Sequence, residues 1–195
     1  DHLVDVKPVI EKPFGDLVQF FVRRRSPMAR KILLIAPMSG HYATLLRSTV
    51  ASLLPDADVY VTDWHNARDI PVSAGKFDVE DYTLYLADFM RHLGPDTHVI
   101  AVCQPVPLAL AATAWLAAEY PAAQPRTLTL IGGPVDPDLA RVQPIGLPYP
   151  PGRDVLRRLR GLEALDVHVL DAGRDDVAQE VDAAQLGEHP DLLGH

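Results

Sequence analysis

Five short apolar runs, separated by stretches with helical spacing, leave this chain few architectures to adopt. They lie at 31–36 (KILLIA), 58–63 (DVYVTD), 97–103 (THVIAVC), 126–131 (RTLTLI) and 166–170 (DVHVL). Short runs rich in β-branched residues and bounded by Pro, Gly or Asp have the composition of strands buried on both faces. Between them, Tyr82, Tyr85, Leu86, Phe89, Met90 and Leu93 recur at i, i+3, i+4, i+7, i+8 and i+11, with Asp78 placed to cap the start and Gly94-Pro95 to end the segment. Leu46, Val50, Leu53 and Leu54 mark a second helix ending at Pro55, and 105–119 (PVPLALAATAWLAAE) a third, whose prolines fall in a first turn that needs no intrahelical N–H. Strand and helix therefore alternate. That predicts an α/β fold with a mostly parallel sheet, helices on both faces and a ligand site beyond the carboxyl ends of the strands. The proline-rich stretch 132–151 lacks periodicity, so 134–160 reads as a short cap or connection.

A chain of 195 residues can bury one real hydrophobic core, and 1–195 is expected to form a single domain. With 48% apolar and 23% charged residues it falls among ordinary globular proteins. Its formal charge of −8 argues against a nucleic-acid partner, because the chain as a whole repels phosphate and its basic runs at 23–25 and 157–160 read as solvated faces. A single cysteine forms no internal disulfide, and no cysteine and histidine set has zinc-ligand spacing. No apolar run reaches membrane-spanning length and no signal-peptide pattern opens the chain, so a reducing cytoplasmic setting is the expectation.

The lone thiol then needs another explanation. Cys103 directly follows an apolar strand and precedes a helix starting near Pro105, the context of a nucleophile elbow. Taken alone, a cysteine at a strand end is more often an inert core residue, so the strand, turn and helix context carries this assignment. The Gly-x-Ser-x-Gly form is absent, with Ala101 and Pro105 at the small-residue positions. A helix N-terminus favours an attacking thiolate, and since proline supplies no N–H, the Gln104 backbone is the expected oxyanion donor. The turn after the first run, Ala36-Pro37-Met38-Ser39-Gly40-His41, occupies the place of a second donor, with Met38 the best candidate through its backbone and Ser39 the next. The last run leads into Asp171-Ala172-Gly173-Arg174-Asp175-Asp176, and the chain closes on Gly194-His195, so a nucleophile, an acid and a histidine follow in hydrolase order. Asp136 is a reserve acid.

Three stretches carry a family likeness: A-P-M-S-G-H-Y-A-T-L-L-R, D-V-Y-V-T-D-W and H-L-G-P-D-T-H-V-I-A-V-C-Q-P. Together they resemble the intracellular polyhydroxybutyrate depolymerases over residues 9–136; G-G-P-V-D extends the match, and D-A-G-R-D-D-V and L-L-G-H are similar to the family's acid and histidine motifs. The resemblance implies an α/β-hydrolase-like fold, here with a reduced cap over 134–160 and an incomplete C-terminal end. It implies a triad of Cys103 as nucleophile, His195 as general base and one of Asp175 or Asp176 as acid. Alignment of the Asp pair favours Asp175 and Gly-x-x-Asp spacing from Gly173 favours Asp176, so both stay open. It also implies hydrolysis of esters in poly(3-hydroxybutyrate) or its oligomers through a thioester acyl-enzyme, with no cofactor, at the surface of storage granules. Two other functions fit the same residues: a broad short-chain carboxylesterase or thioesterase, and a catalytically inactive protein that binds polyester granules.

Overall fold

The computed structural model describes residues 4–22, 30–38, 46–133, 166–170 and 179–180. The elements are β1 (Val4–Ile10), β2 (Gly15–Val22), β3 (Lys31–Ile35), α1 (Arg47–Leu53), β4 (Asp58–Trp64), α2 (Val79–Leu93), β5 (Thr97–Val102), α3 (Val106–Glu119), β6 (Thr127–Ile131), β7 (Asp166–Leu170) and β8 (Gln179–Glu180). They build one eight-stranded sheet in the order β1-β2-β4-β3-β5-β6-β7-β8. Strands β3 to β7 run parallel to one another, while β1, β2 and β8 pair antiparallel.

All five expected strands and all three expected helices are present. Helix α2 starts where its cap was expected. The Asp78 carboxylate accepts from the Glu80 and Asp81 N–H groups, and Asp81 accepts from the Asp78 N–H, so each satisfies an otherwise unpaired donor of the first turn. Gly94, with φ 86°, ends the helix by donating its N–H to the Met90 carbonyl. In α3 the first helical residue is Val106, one later than expected, with Pro105 as N-cap and Pro107 in the first turn.

Crossover handedness places the helices. The chain moves from β3 to β4 in one direction and from β5 to β6 in the other, so right-handed connections put α1 and α3 on opposite faces. Leu46, Val50 and Leu54 of the α1 segment pack on Val18, Leu34, Val59 and Val61. On the other face α2 and α3 cover Leu17, Leu33, Ile35, Val99, Ala101, Leu128 and Leu130. The small side chains Ala109, Ala112 and Ala114 let α3 lie against both the sheet and α2, and its buried residues accordingly occupy most of its circumference.

Burial on both faces, expected for every run, holds for β3 and β4. In β5 and β6 it alternates: Val99, Ala101, Leu128 and Leu130 are buried under α3, whereas His98, Ile100, Val102, Thr127, Thr129 and Ile131 are half-buried. The reason is coverage. Among the described residues α1 is the only helix on that second face, and it packs over β3 and β4. The β1–β2 hairpin and the short β8 were not expected. Strand β1 is an edge strand with mostly exposed side chains and a register irregularity at Pro8; its Val4-Asp5-Val6-Lys7 alternation stops at that proline and it holds no uninterrupted apolar run. The expected cap, 134–160, lies outside the described residues.

Candidate active site

The sheet order reverses between β3 and β5. The element after β3 goes to one side and the element after β5 to the other, and in open α/β sheets such a switch point is where a crevice forms beyond the carboxyl ends of the strands. Their register sets Ile35 beside Ala101, so the turns that leave them begin level with each other. One turn carries Met38 and the other Cys103 and Gln104.

Cys103 sits between the end of β5 and the start of α3, and its side chain is exposed. Its φ is 64°, and it is the one non-glycine residue with positive φ among those described. Left-handed backbone disfavours a residue with a Cβ by about 1–2 kcal/mol, and such positions persist where surrounding contacts enforce them. Here the Cys103 N–H donates to the Ile131 carbonyl at 2.7 Å, and its own carbonyl accepts from the Val106 N–H at 3.2 Å. The turn is thus tied to the neighbouring strand on one side and to the helix on the other, in the geometry of a nucleophile elbow. The fold is α/β-hydrolase-like.

No family model matches the chain, and no curated protein matches its sequence. Among solved structures it is similar to brefeldin A esterase, a bacterial homologue of human hormone sensitive lipase, at 14% identity and a TM-score of 0.47 over 68% of this chain and 41% of that one. It is similar to carboxyl esterase 2 of the fungus Tuber melanosporum at 12% identity and a TM-score of 0.47, covering 70% of this chain and 48% of that one. A third, E-2-(acetamidomethylene)succinate hydrolase, is 15% identical with a TM-score of 0.45 over 66% and 44%. The chain spans less than half the length of each of these three.

Two of the three residues expected to serve an oxyanion, Met38 and Gln104, are in contact. The Met38 N–H donates to Oε1 of the Gln104 side chain at 3.1 Å, which joins the β3 turn to the Cys103 turn directly. Among the described residues no acceptor meets the Gln104 N–H. Ser39, His195, Asp175, Asp176 and the reserve acid Asp136 lie outside the described residues.

A histidine at this end of the sheet, His65, is already engaged. Its Nε2 meets Asp16 Oδ2 at 3.0 Å and its Nδ1 meets the Pro13 carbonyl at 3.1 Å. Both partners only accept, so the imidazolium form fills both contacts and neither nitrogen is free to take a proton from a nucleophile. Partial burial disfavours the charge, but the hydrogen bonds to Asp16 and Pro13 and the charges of Asp16 and Asp63 outweigh it and raise the pKa above the ordinary histidine value.

Three further residues escaped the sequence reading. The Ala36 N–H donates to Thr62 Oγ1 at 2.9 Å, and the Ala36 carbonyl accepts from the Trp64 indole N–H at 2.9 Å and from the Tyr82 hydroxyl at 3.4 Å. Burial pushes the Tyr82 hydroxyl well above its ordinary pKa, against an opposing effect of Trp64, so it stays protonated and donating. The base of the Met38 turn is therefore pinned from β4 and α2. One signal was available: a threonine inside a run buried on both faces must find a hydrogen-bond partner. Replacing Thr62 with Val strands the Ala36 N–H in a site only 1% exposed. We expect it to lower the unfolding free energy by about 1–2 kcal/mol, read from urea denaturation.

Proposed function

We propose that this chain carries an acyl hydrolase site in which Cys103 is the nucleophile, His195 the general base and one of Asp175 or Asp176 the acid that orients it. The Met38 and Gln104 N–H groups stabilise the oxyanion, with Ser39 the next candidate donor, and the substrate is the ester bonds of poly(3-hydroxybutyrate) or its oligomers at the surface of a storage granule. The observation that carries it is Cys103 itself: an exposed thiol, in left-handed backbone, at the turn between a central parallel strand and a helix. A cysteine with only a packing role has no use for that conformation or that exposure.

In the proposed reaction the imidazole takes the thiol proton and Sγ attacks the ester carbonyl carbon. A C–S bond forms and the carbonyl π pair moves onto oxygen, where the two N–H donors meet it. Collapse expels the alkoxide, which receives the proton from the imidazolium and leaves as an alcohol. Water, deprotonated by the imidazole, then attacks the thioester, and the thiolate departs and is reprotonated, releasing the hydroxy acid. No step calls for a cofactor.

Incubation with p-nitrophenyl butyrate, a 3-hydroxybutyrate trimer and amorphous polymer, before and after alkylation by iodoacetamide, tests this. The expected result is hydrolysis that disappears on alkylation, with the trimer and polymer preferred. Preference for the small ester would make the chain a broad short-chain esterase. Polymer binding without turnover would make it a granule-binding protein and overturn the catalytic assignment.

A further inference from the structure

Under the proposed chemistry the Met38 N–H must meet the oxyanion, yet it already has an acceptor. Gln104 Oε1 lies 3.1 Å from Met38 N, at the distance and on the side where a substrate oxygen would take this proton. A backbone amide has one hydrogen and forms one strong bond at a time, so the two acceptors compete. Gln104 is exposed and directly follows the nucleophile, so its side chain can swing toward solvent while its backbone stays in the elbow.

The β3 turn does not need Gln104 to hold it. Ala36, two residues before Met38, is already fixed by Thr62, Trp64 and Tyr82 through both its N–H and its carbonyl. What Gln104 adds is occupancy of the donor. We infer that the Gln104 side chain is an exchangeable stand-in for the substrate carbonyl: its amide oxygen satisfies the Met38 N–H in the empty site and is displaced when substrate binds. An amide oxygen and an ester carbonyl are both neutral acceptors, so displacement weakens ground-state binding. The developing oxyanion is a charged and stronger acceptor, and it displaces the amide readily. Gln104 is thus a positioning residue that raises KM more than it lowers kcat, an inference that rests on the oxyanion assignment above.

The test uses Gln104→Met, similar in length but without the amide acceptor, and Gln104→Ala, which adds no bulk, assayed on p-nitrophenyl butyrate beside the unaltered chain. Both variants should show KM lower by about two- to tenfold, the range a net neutral hydrogen bond is worth, with kcat unchanged or higher. Gln104→Glu should fall in kcat/KM by about tenfold or more relative to the unaltered chain, because its carboxylate holds the donor more strongly and repels the oxyanion. This deficit should shrink as the pH is lowered through the carboxylate range. A side chain that merely props the turn would instead lower kcat in the Met and Ala variants at unchanged KM; that outcome, or no change in either constant, overturns the inference while leaving the hydrolase reading intact. An unaltered chain with no alkylation-sensitive activity removes both.

Discussion

Replacing Cys103 with glycine is expected to abolish ester hydrolysis while leaving the protein more stable than the alanine variant. At most positions glycine is the less stable of the two, by about 0.5–1 kcal/mol, because it has more backbone freedom to lose on folding. At Cys103 the φ of 64° reverses the order. Alanine keeps the Cβ and with it the cost of left-handed backbone, about 1–2 kcal/mol, whereas glycine adopts the conformation freely. Cys103→Gly should therefore exceed Cys103→Ala in unfolding free energy by up to about 1 kcal/mol, measured by denaturant titration. Both should lose hydrolysis by roughly 10⁴-fold or more, since in the proposed reaction the acyl-enzyme forms on the Cys103 sulfur. If Ala proves more stable than Gly, the turn is not strained as described. If either retains turnover, the nucleophile is elsewhere.

Gly133→Ala should damage the same turn from outside it. A Cβ built on Gly133 would overlap the Cys103 carbonyl oxygen and the Val106 side chain far inside van der Waals contact. Neither neighbour can yield easily: one is the backbone of the elbow and the other is the fully buried first residue of α3. Relief requires β6 and the elbow to separate, which strains the 2.7 Å bond from the Cys103 N–H to the Ile131 carbonyl. The expected loss of stability is about 3 kcal/mol, at the upper end for overpacking. Displacing the Cys103 thiol by about 1 Å should lower kcat by roughly 100-fold. Thermal unfolding and ester assays on one preparation read both. A variant of normal stability and activity would mean that β6 and the elbow are not in this contact.

The central architecture was legible because β3, β4 and α2 each say one thing at every level. Buried strands are continuous apolar runs, and α2 pairs a helical stripe with an Asp cap and a terminal glycine. The sharp turn at Cys103 was legible for the same reason: a strand composition stops at Cys103 and a proline-tolerant helix start follows within a few residues. What stayed hidden depends on contacts between distant segments. Neither the Met38 to Gln104 bond nor the clasp of Thr62, Trp64 and Tyr82 on Ala36 leaves a local pattern, because each joins segments brought together only by sheet order. The pair Gly132-Gly133 was visible as letters, but the close approach that forbids a Cβ at the second glycine is a property of β5 and β6 side by side. Gly15 is similar: it faces Trp64 across the β2–β4 pairing and leaves room for the indole that reaches Ala36.

The clamp on the Cys103 turn comes from a later part of the chain. Cys103 and α3 are synthesised before Ile131 and Gly133, so a nascent chain that ends within α3 holds the thiol without the strand that completes its hydrogen bonding. At that stage the bond from the Val106 N–H to the Cys103 carbonyl is, among the described residues, the one tie left to offset the cost of left-handed backbone. The turn is complete only with β6 paired to β5, so the conformation of Cys103 depends on a strand that follows it in the chain.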